Sequence, residues 1–229
     1  MFTSLLLTPT LAALVVLGAV QPTSIPTTKT DEKKIAEVGK EAPEFELQDQ
    51  HGKTHILSDY KGKIVVLEWF NESCPYCEAA WESGLVPNLI KTLGEQETEV
   101  VYLTINSTAN KPEEKVLESG ADFLEELKVT VPMLMDYDGK AGKVFGARTT
   151  PHMFVINAEG ILVYQGAISD DRKGKEGDKA ETHIMRVVTQ LEAGEEVSPS
   201  YVQPWGCSVK YKRDGKSGNR SERGRKPRG

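Results

Sequence analysis

The sequence predicts an α/β domain: a central mixed β-sheet flanked by helices and preceded by an N-terminal β-hairpin. Three observations predict it. Two apolar runs, Ile64 to Phe70 and Glu99 to Ile105, are continuous rather than alternating, the pattern of strands buried on both faces. Helical stretches follow both runs, an alternation that builds a sheet with helices packed against it. A late pair of strands around Asn157-Ala158-Glu159-Gly160 reads as a tight hairpin, which makes the sheet mixed. The chain has 229 residues, enough for one well-packed domain with extensions. Its balance of 38% hydrophobic and 27% charged residues is ordinary for a soluble globular protein.

From the N-terminus, residues 1–22 are apolar, with Leu5-Leu6-Leu7 and then Leu11 to Val20. They read as a signal peptide or N-terminal anchor, with small residues near Gly18-Ala19 for cleavage. No Lys or Arg precedes the run, Pro9 interrupts it, and it is short for a membrane span of about 20 residues. Residues 23–38, rich in Thr, Pro and charge, read as a linker. The domain is expected over residues 39–195. Phe45 to Gln48 and Thr54 to Leu57 alternate around a turn at Asp49 to Lys53, which predicts the hairpin. Gly62-Lys63 leads into the first buried strand.

A helix is expected from Cys74 to about Leu93, broken or bent near Gly84 and Pro87. After the second buried strand come a helix from Glu113 to Leu127, interrupted by Gly120, a short strand or turn at Leu134 to Asp136, and a short helix from Lys140 to Phe145. Met153 to Ile156 and Ile161 to Gly166 are the late strands, and a final helix covers about Lys179 to Glu192. Residues 196–211 form a C-terminal extension dense in aromatic and apolar side chains, expected to pack on the domain. Residues 212–229 read as a disordered basic tail. Nine Lys and Arg stand against two acids between Lys210 and Arg228, so the body before them is more acidic than the overall charge of −6 suggests. A solubilising role is the expectation for this tail, and nucleic acid is not an expected partner.

The chemistry is expected at Cys74-Pro75-Tyr76-Cys77. A buried strand delivers Cys74 to the first turn of a helix, where unpaired N–H groups and the helix dipole favour a thiolate. Such placement lowers a cysteine pKa from about 8.5 to roughly 3.5–7.5 and makes the sulfur nucleophilic. Other uses of two cysteines at this spacing fit less well. Structural zinc commonly takes four ligands from two such pairs, and there is no second pair. Covalent haem attachment needs His after the second cysteine, and Glu78 stands there. Three cysteines are too few for a disulfide scaffold, and Cys207 is left over.

These residues, in this order, carry a family resemblance. Gly39-x-x-Ala42-Pro43-x-Phe45-x-Leu47-x-Asp49-x-x-Gly52 resembles the N-terminal hairpin of redoxins. Gly62-Lys63-x-Val65-Val66-Leu67, the Cys74–Cys77 motif and Thr149-Thr150-Pro151-His152-Met153-Phe154-Val155-Ile156 follow collinearly. The chain thus resembles the thioredoxin-fold superfamily in its redoxin branch, thioredoxin-like and peroxiredoxin-like proteins of the alkyl hydroperoxide reductase/thiol-specific antioxidant type. The resemblance covers about residues 39–192. A narrower branch also shares Leu67-Glu68-Trp69 and Gly206-Cys207-Ser208-Val209-Lys210-Tyr211, and many of its members keep only the first cysteine.

The resemblance implies a thioredoxin-like fold and thiol–disulfide exchange with protein substrates. Cys74 would be the attacking thiolate and Cys77 the resolving thiol, the two forming a redox-active disulfide. Pro151 would be a cis proline across from Cys74, holding substrate backbone beside Thr150, with Pro75 and Tyr76 also facing the substrate. Glu68 matches the buried acid of thioredoxins and would serve proton transfer, provided the strand register turns it to the cysteine side. Cys207 is a candidate third redox thiol, the alternative being a small buried hydrophobe. No metal or organic cofactor is required.

Two rival functions stand beside this one. A thiol peroxidase would use Cys74 as its peroxidatic cysteine. However, Leu67 and Asn71 occupy the places of the proline and threonine in the peroxiredoxin motif Pro-x-x-x-Thr-x-x-Cys. Arg148 is expected on the surface rather than beside the thiolate. A copper-binding chaperone would use Cys74, Cys77 and His152, the last expected at the active-site rim. His51 and His55 are expected in solvent, and His183 on the surface of the last helix. The expected location is exported, periplasmic or otherwise extracytoplasmic, with membrane association through the N-terminal segment. The expected partners are protein thiols and disulfides and a redox partner that the sequence does not identify.

Overall fold

The computed structural model describes residues 35–212. The N-terminal apolar segment, most of the linker and the basic tail beyond Lys212 lie outside the described residues. The fold is a thioredoxin-like α/β sandwich. Strands β1 (Glu46–Gln48) and β2 (Thr54–Ile56) form the opening hairpin, and β3 (Ile64–Trp69) is the central strand. Helices α1 (Pro75–Glu82) and α2 (Leu85–Leu93) follow, then β4 (Val100–Asn106), α3 (Glu113–Glu126), β5 (Met133–Met135) and α4 (Lys140–Phe145). The rest comprises β6 (Thr149–Thr150), β7 (His152–Ile156), β8 (Leu162–Gly166), α5 (His183–Glu192), β9 (Tyr201–Val202) and β10 (Cys207–Ser208).

The main sheet runs β2-β1-β5-β4-β3-β7-β8-β9. It is parallel across β3–β4 and β4–β5, and antiparallel across β3–β7 and β7–β8. Every residue of β3 is buried, as its unbroken apolar run requires. Alternation along β3 then sorts its side chains between two cores. Val66 and Phe70 join Trp81, Leu85, Val155 and Val187 in the layer that also holds Cys74 and Cys77. Val65, Leu67 and Trp69 join Phe145, Phe154 and Leu162 in the opposite layer.

Of the expected break or bend near Gly84 and Pro87, the structure has the break: Gly84 adopts φ +88° and caps α2, leaving Pro87 harmlessly in a first turn. Several elements differ from the sequence expectation. Helix α3 runs through Gly120 unbroken; the missing side chain lets the helix press against Met133. The final helix begins at His183 rather than near Lys179, with Thr182 capping it by accepting from the Met185 N–H. His55 is buried, not solvated: it bonds Asp49 Oδ2 at 2.9 Å and the Tyr60 hydroxyl at 2.5 Å.

The C-terminal extension completes the sheet. β9 pairs in parallel with the edge strand β8, matching Gly166 to Val202. Gly166 has φ +149°, and a Cβ there would overlap the Val202 carbonyl oxygen, so only glycine lets the extension seat. Gly166→Ala is expected to lower stability by more than about 1 kcal/mol. Urea unfolding of variant and parent checks this.

Candidate active site

β3 ends at Trp69, and the loop Phe70 to Ser73 turns the chain into α1. Cys74 is the residue before that helix, with φ −93° and ψ 118°, and Pro75 occupies its first position. Proline suits this place, since its missing N–H has no intrahelical partner there. Cys74 N–H donates to the Asn71 carbonyl at 3.0 Å, and its own carbonyl accepts from Glu78 N–H at 2.9 Å. The Cys74 side chain is therefore held at the positive end of the helix dipole.

Three separate segments converge on its sulfur. Cys77 lies one turn along α1 and is fully buried. The Thr150-Pro151 peptide bond is cis, and Cys74 Sγ donates to the Thr150 carbonyl at 3.1 Å. β10 pairs antiparallel with β6, setting Cys207 opposite Thr150, the residue whose carbonyl touches the Cys74 sulfur. All three cysteines are free thiols. Cys74 is 1% exposed, whereas Cys207 is partly exposed.

This packing splits the thiol acidities. Hydrogen bonding from Cys77 holds the Cys74 pKa well below its usual value against the opposing effect of burial; the Cys207 thiol and the Cys77 backbone N–H add to it. Burial and the hydrogen bond to Cys74 push Cys77 well up. Burial and the same kind of bond raise Cys207. One sulfur is thus prepared as a thiolate, and two stand by as donors to it.

Glu68 faces this cluster. Its place on β3 puts it in the cysteine layer, between Val66 and Phe70 by alternation. It is fully buried and accepts from Trp81 Nε1 at 3.1 Å and the Tyr102 hydroxyl at 2.6 Å. Burial raises its pKa to about 7 despite those two donors. Trp81 and Tyr102 escaped the sequence reading. The available signal was a tyrosine inside an apolar strand, two strand positions before the level of Glu68. A second buried acid, Glu72, was also missed: it accepts from Asn106 Nδ2 at 3.2 Å and the Ser119 hydroxyl at 2.7 Å, bracing the loop that carries Cys74.

Pro75 is exposed, and Tyr76 is exposed with its ring 6.0 Å from that of Trp205. Thr150 and Pro151 are buried, and the backbone edge expected to take substrate is occupied by the chain's own β10. Arg148 is exposed and donates to the Tyr201 hydroxyl at 3.1 Å. His152 is not at the rim. It points with Phe154 into the opposite core layer, its ring 4.5 Å from Phe154, and burial drops its pKa to about 3. A copper site of Cys74, Cys77 and His152 is therefore ruled out by strand alternation. Among the described residues no cluster of three or more His, Cys, Asp or Glu could hold a metal ion.

The AhpC/TSA family model matches residues 38–165, more than half of the chain. The chain belongs to the AhpC/TSA family. The thiol-disulfide oxidoreductase ResA of Bacillus thuringiensis subsp. konkukian (strain 97-27) is 29% identical over 152 residues, covering 66% of this chain and 82% of that protein. ResA of Bacillus subtilis (strain 168) is 30% identical over 131 residues, covering 57% and 68%. Among solved structures, a hypothetical protein from Sinorhizobium meliloti 1021 superposes with a TM-score of 0.66 at 23% identity, covering 78% of this chain and 96% of that one. An uncharacterized conserved protein from Geobacillus kaustophilus gives 0.64 at 24%, covering 79% and 95%. These two likenesses bear on fold. Family and relatives together make this chain an oxidoreductase of the thiol-disulfide class.

The buried acid has a measurable consequence. Unfolded Glu68 loses its proton near pH 4.5, whereas in the fold it keeps it to about 7. Between those values the unfolded chain binds fewer protons, so stability falls as pH rises. Glu68→Gln is expected to remove roughly 3 kcal/mol of that fall. Denaturant unfolding of parent and variant at pH 4.5 and pH 8 isolates the difference.

Proposed function

We propose that this AhpC/TSA-family chain exchanges disulfides with protein substrates through Cys74 and Cys77. The observation that carries the reading is the sulfur of Cys74: it lies at the start of α1, against the Thr150 carbonyl, with the buried thiol of Cys77 one turn along the same helix. Thiolate Cys74 attacks a substrate disulfide, one substrate thiol departs, and a mixed disulfide remains. Cys77 then attacks the Cys74 sulfur, releasing the second substrate thiol and closing the 74–77 disulfide. The reverse sequence oxidises a substrate dithiol.

Cys77 must lose a proton to attack, and burial opposes that loss. Glu68 is the proposed proton acceptor. Its raised pKa lies near neutrality, where a general base is most effective. The charges of Glu68 and Cys77 each oppose the other, so the two groups release their protons one at a time. Thr150 and Pro151 are the proposed substrate-positioning segment, with Pro75 and Tyr76 the exposed surface beside it. Export, with the N-terminal apolar segment as leader or anchor, fits the oxidising compartments in which such exchange is most used.

Cys74→Ser is expected to abolish reduction of a protein disulfide such as those of insulin. Cys77→Ser is expected to accumulate mixed disulfides at Cys74, visible as mass adducts on non-reducing gels. Full turnover by both variants would overturn the mechanism. Efficient hydrogen peroxide consumption with slow disulfide exchange would favour the peroxidase reading instead.

A further inference from the structure

The reactive sulfur is nearly inaccessible. Cys74 is 1% exposed and Cys77 is fully buried, yet the proposed chemistry requires contact with another protein. The segment in the way is residues 205–211. Trp205 Nε1 donates to the Ser169 carbonyl at 2.9 Å, Val209 N–H to Arg148 O at 3.1 Å, and the Tyr211 hydroxyl to Ala147 O at 2.8 Å. Ala109 N–H donates to Lys210 O at 2.8 Å. Between these anchors Cys207-Ser208 add to β6 by strand pairing, the way an extended peptide docks on an open edge. Gly206 has φ +132°, and a Cβ there would overlap the Thr150 carbonyl oxygen, so the contact tolerates no side chain. The extension is seated as a substrate backbone would be, with a cysteine facing Cys74.

We infer that Cys207 is a third working thiol, which forms an intrachain disulfide with Cys74 and through which external thiols enter the site. The inference rests on the reading of Cys74 as the reactive sulfur. A cysteine serving only to fill space would be fully buried and need not lie beside a reactive sulfur; Cys207 is partly exposed, packs against the cluster that holds Cys74 and pairs with Thr150, whose carbonyl contacts the Cys74 sulfur.

The steps balance without an added oxidant. Starting from the 74–77 disulfide, Cys207 loses its proton and attacks the Cys74 sulfur. The 207–74 bond forms, and Cys77 leaves as a thiolate that takes up a proton. An external protein thiolate then attacks the Cys207 sulfur, the exposed end of the new bond, and Cys74 leaves as a thiolate. Cys74 is the better leaving group of the pair because its surroundings already favour the anion. A second thiol of the same partner displaces Cys207, which is reprotonated. The partner dithiol has become a disulfide, and the chain's disulfide has become two thiols. Run backwards, the sequence reduces a partner disulfide.

The test uses the full chain carrying Cys77→Ser, oxidised with diamide and mapped under non-reducing conditions by mass spectrometry. A 74–207 linked peptide is expected as the main product, and none in the Cys77→Ser, Cys207→Ser double variant. Only intermolecular dimers or Cys74 adducts, with Cys207 still alkylatable, would overturn the inference. Reduced glutathione added to the linked form and quenched with acid should be found on Cys207 over Cys74 by at least about tenfold, since attack goes to the accessible sulfur. A preference for Cys74 would overturn the entry route. Gly206→Val keeps all three thiols but blocks the close approach, and should cut the yield of linked peptide several-fold; an unchanged yield would overturn the seating argument. An inactive Cys74→Ser, together with a fully active Cys207→Ser and no 74–207 link, would sink this relay while leaving the two-thiol mechanism standing. Full turnover by both Cys74→Ser and Cys77→Ser would sink the underlying mechanism instead.

Discussion

The contact between Cys74 Sγ and the Thr150 carbonyl, at 3.1 Å, joins the two halves of the site. One partner comes from the turn that leads β3 into α1, the other from β6, which leads through Pro151 into β7, and β3 and β7 are adjacent antiparallel strands. Strand pairing therefore sets the contact, and the buried apolar faces of both strands keep the pairing in register. The opening of α1, the cis Thr150-Pro151 bond and the β6–β10 pair are arranged around this meeting point.

Burial at this point has unequal effects on its ionisable groups. Cys74 sits at a helix start with thiol donors around it, so its anion is favoured although its sulfur is nearly inaccessible. Cys77 and Glu68 lie deeper, where charge is disfavoured and both hold their protons more tightly. The result is a gradient of acidity across one cluster. Tyr102 and Trp81 satisfy both carboxyl oxygens of Glu68, which keeps an acid tolerable inside an apolar layer. Glu72 is satisfied in the same way by Asn106 and Ser119, next to the loop that presents Cys74.

Much of this was legible in residue order. The continuous apolar runs, the hairpin turns and the two-residue spacing of Cys74 and Cys77 each express a local rule, and the domain they predict has the observed layers. His51 is exposed as expected, but His55 and His152 are buried, because exposure is not a local property. His55 lies beside a polar turn, yet its strand folds it onto Asp49 and Tyr60. His152 adjoins Pro151 in sequence, but strand alternation turns it to the far layer from the cysteines.

The α/β class, the central strand and a nucleophilic cysteine opening a helix follow from residue order alone, because these depend on patterns within about ten residues of each other. That Glu68 faces the cysteines depends on the folded sheet, since one step of register would have turned it away. The same holds for Cys207 opposite Thr150, because a two-residue strand carries no periodicity of its own and forms only where an edge awaits it. The Cys74–Cys77 spacing is written in four residues; the burial of both sulfurs, and the third thiol beside them, required the whole fold to close around the site.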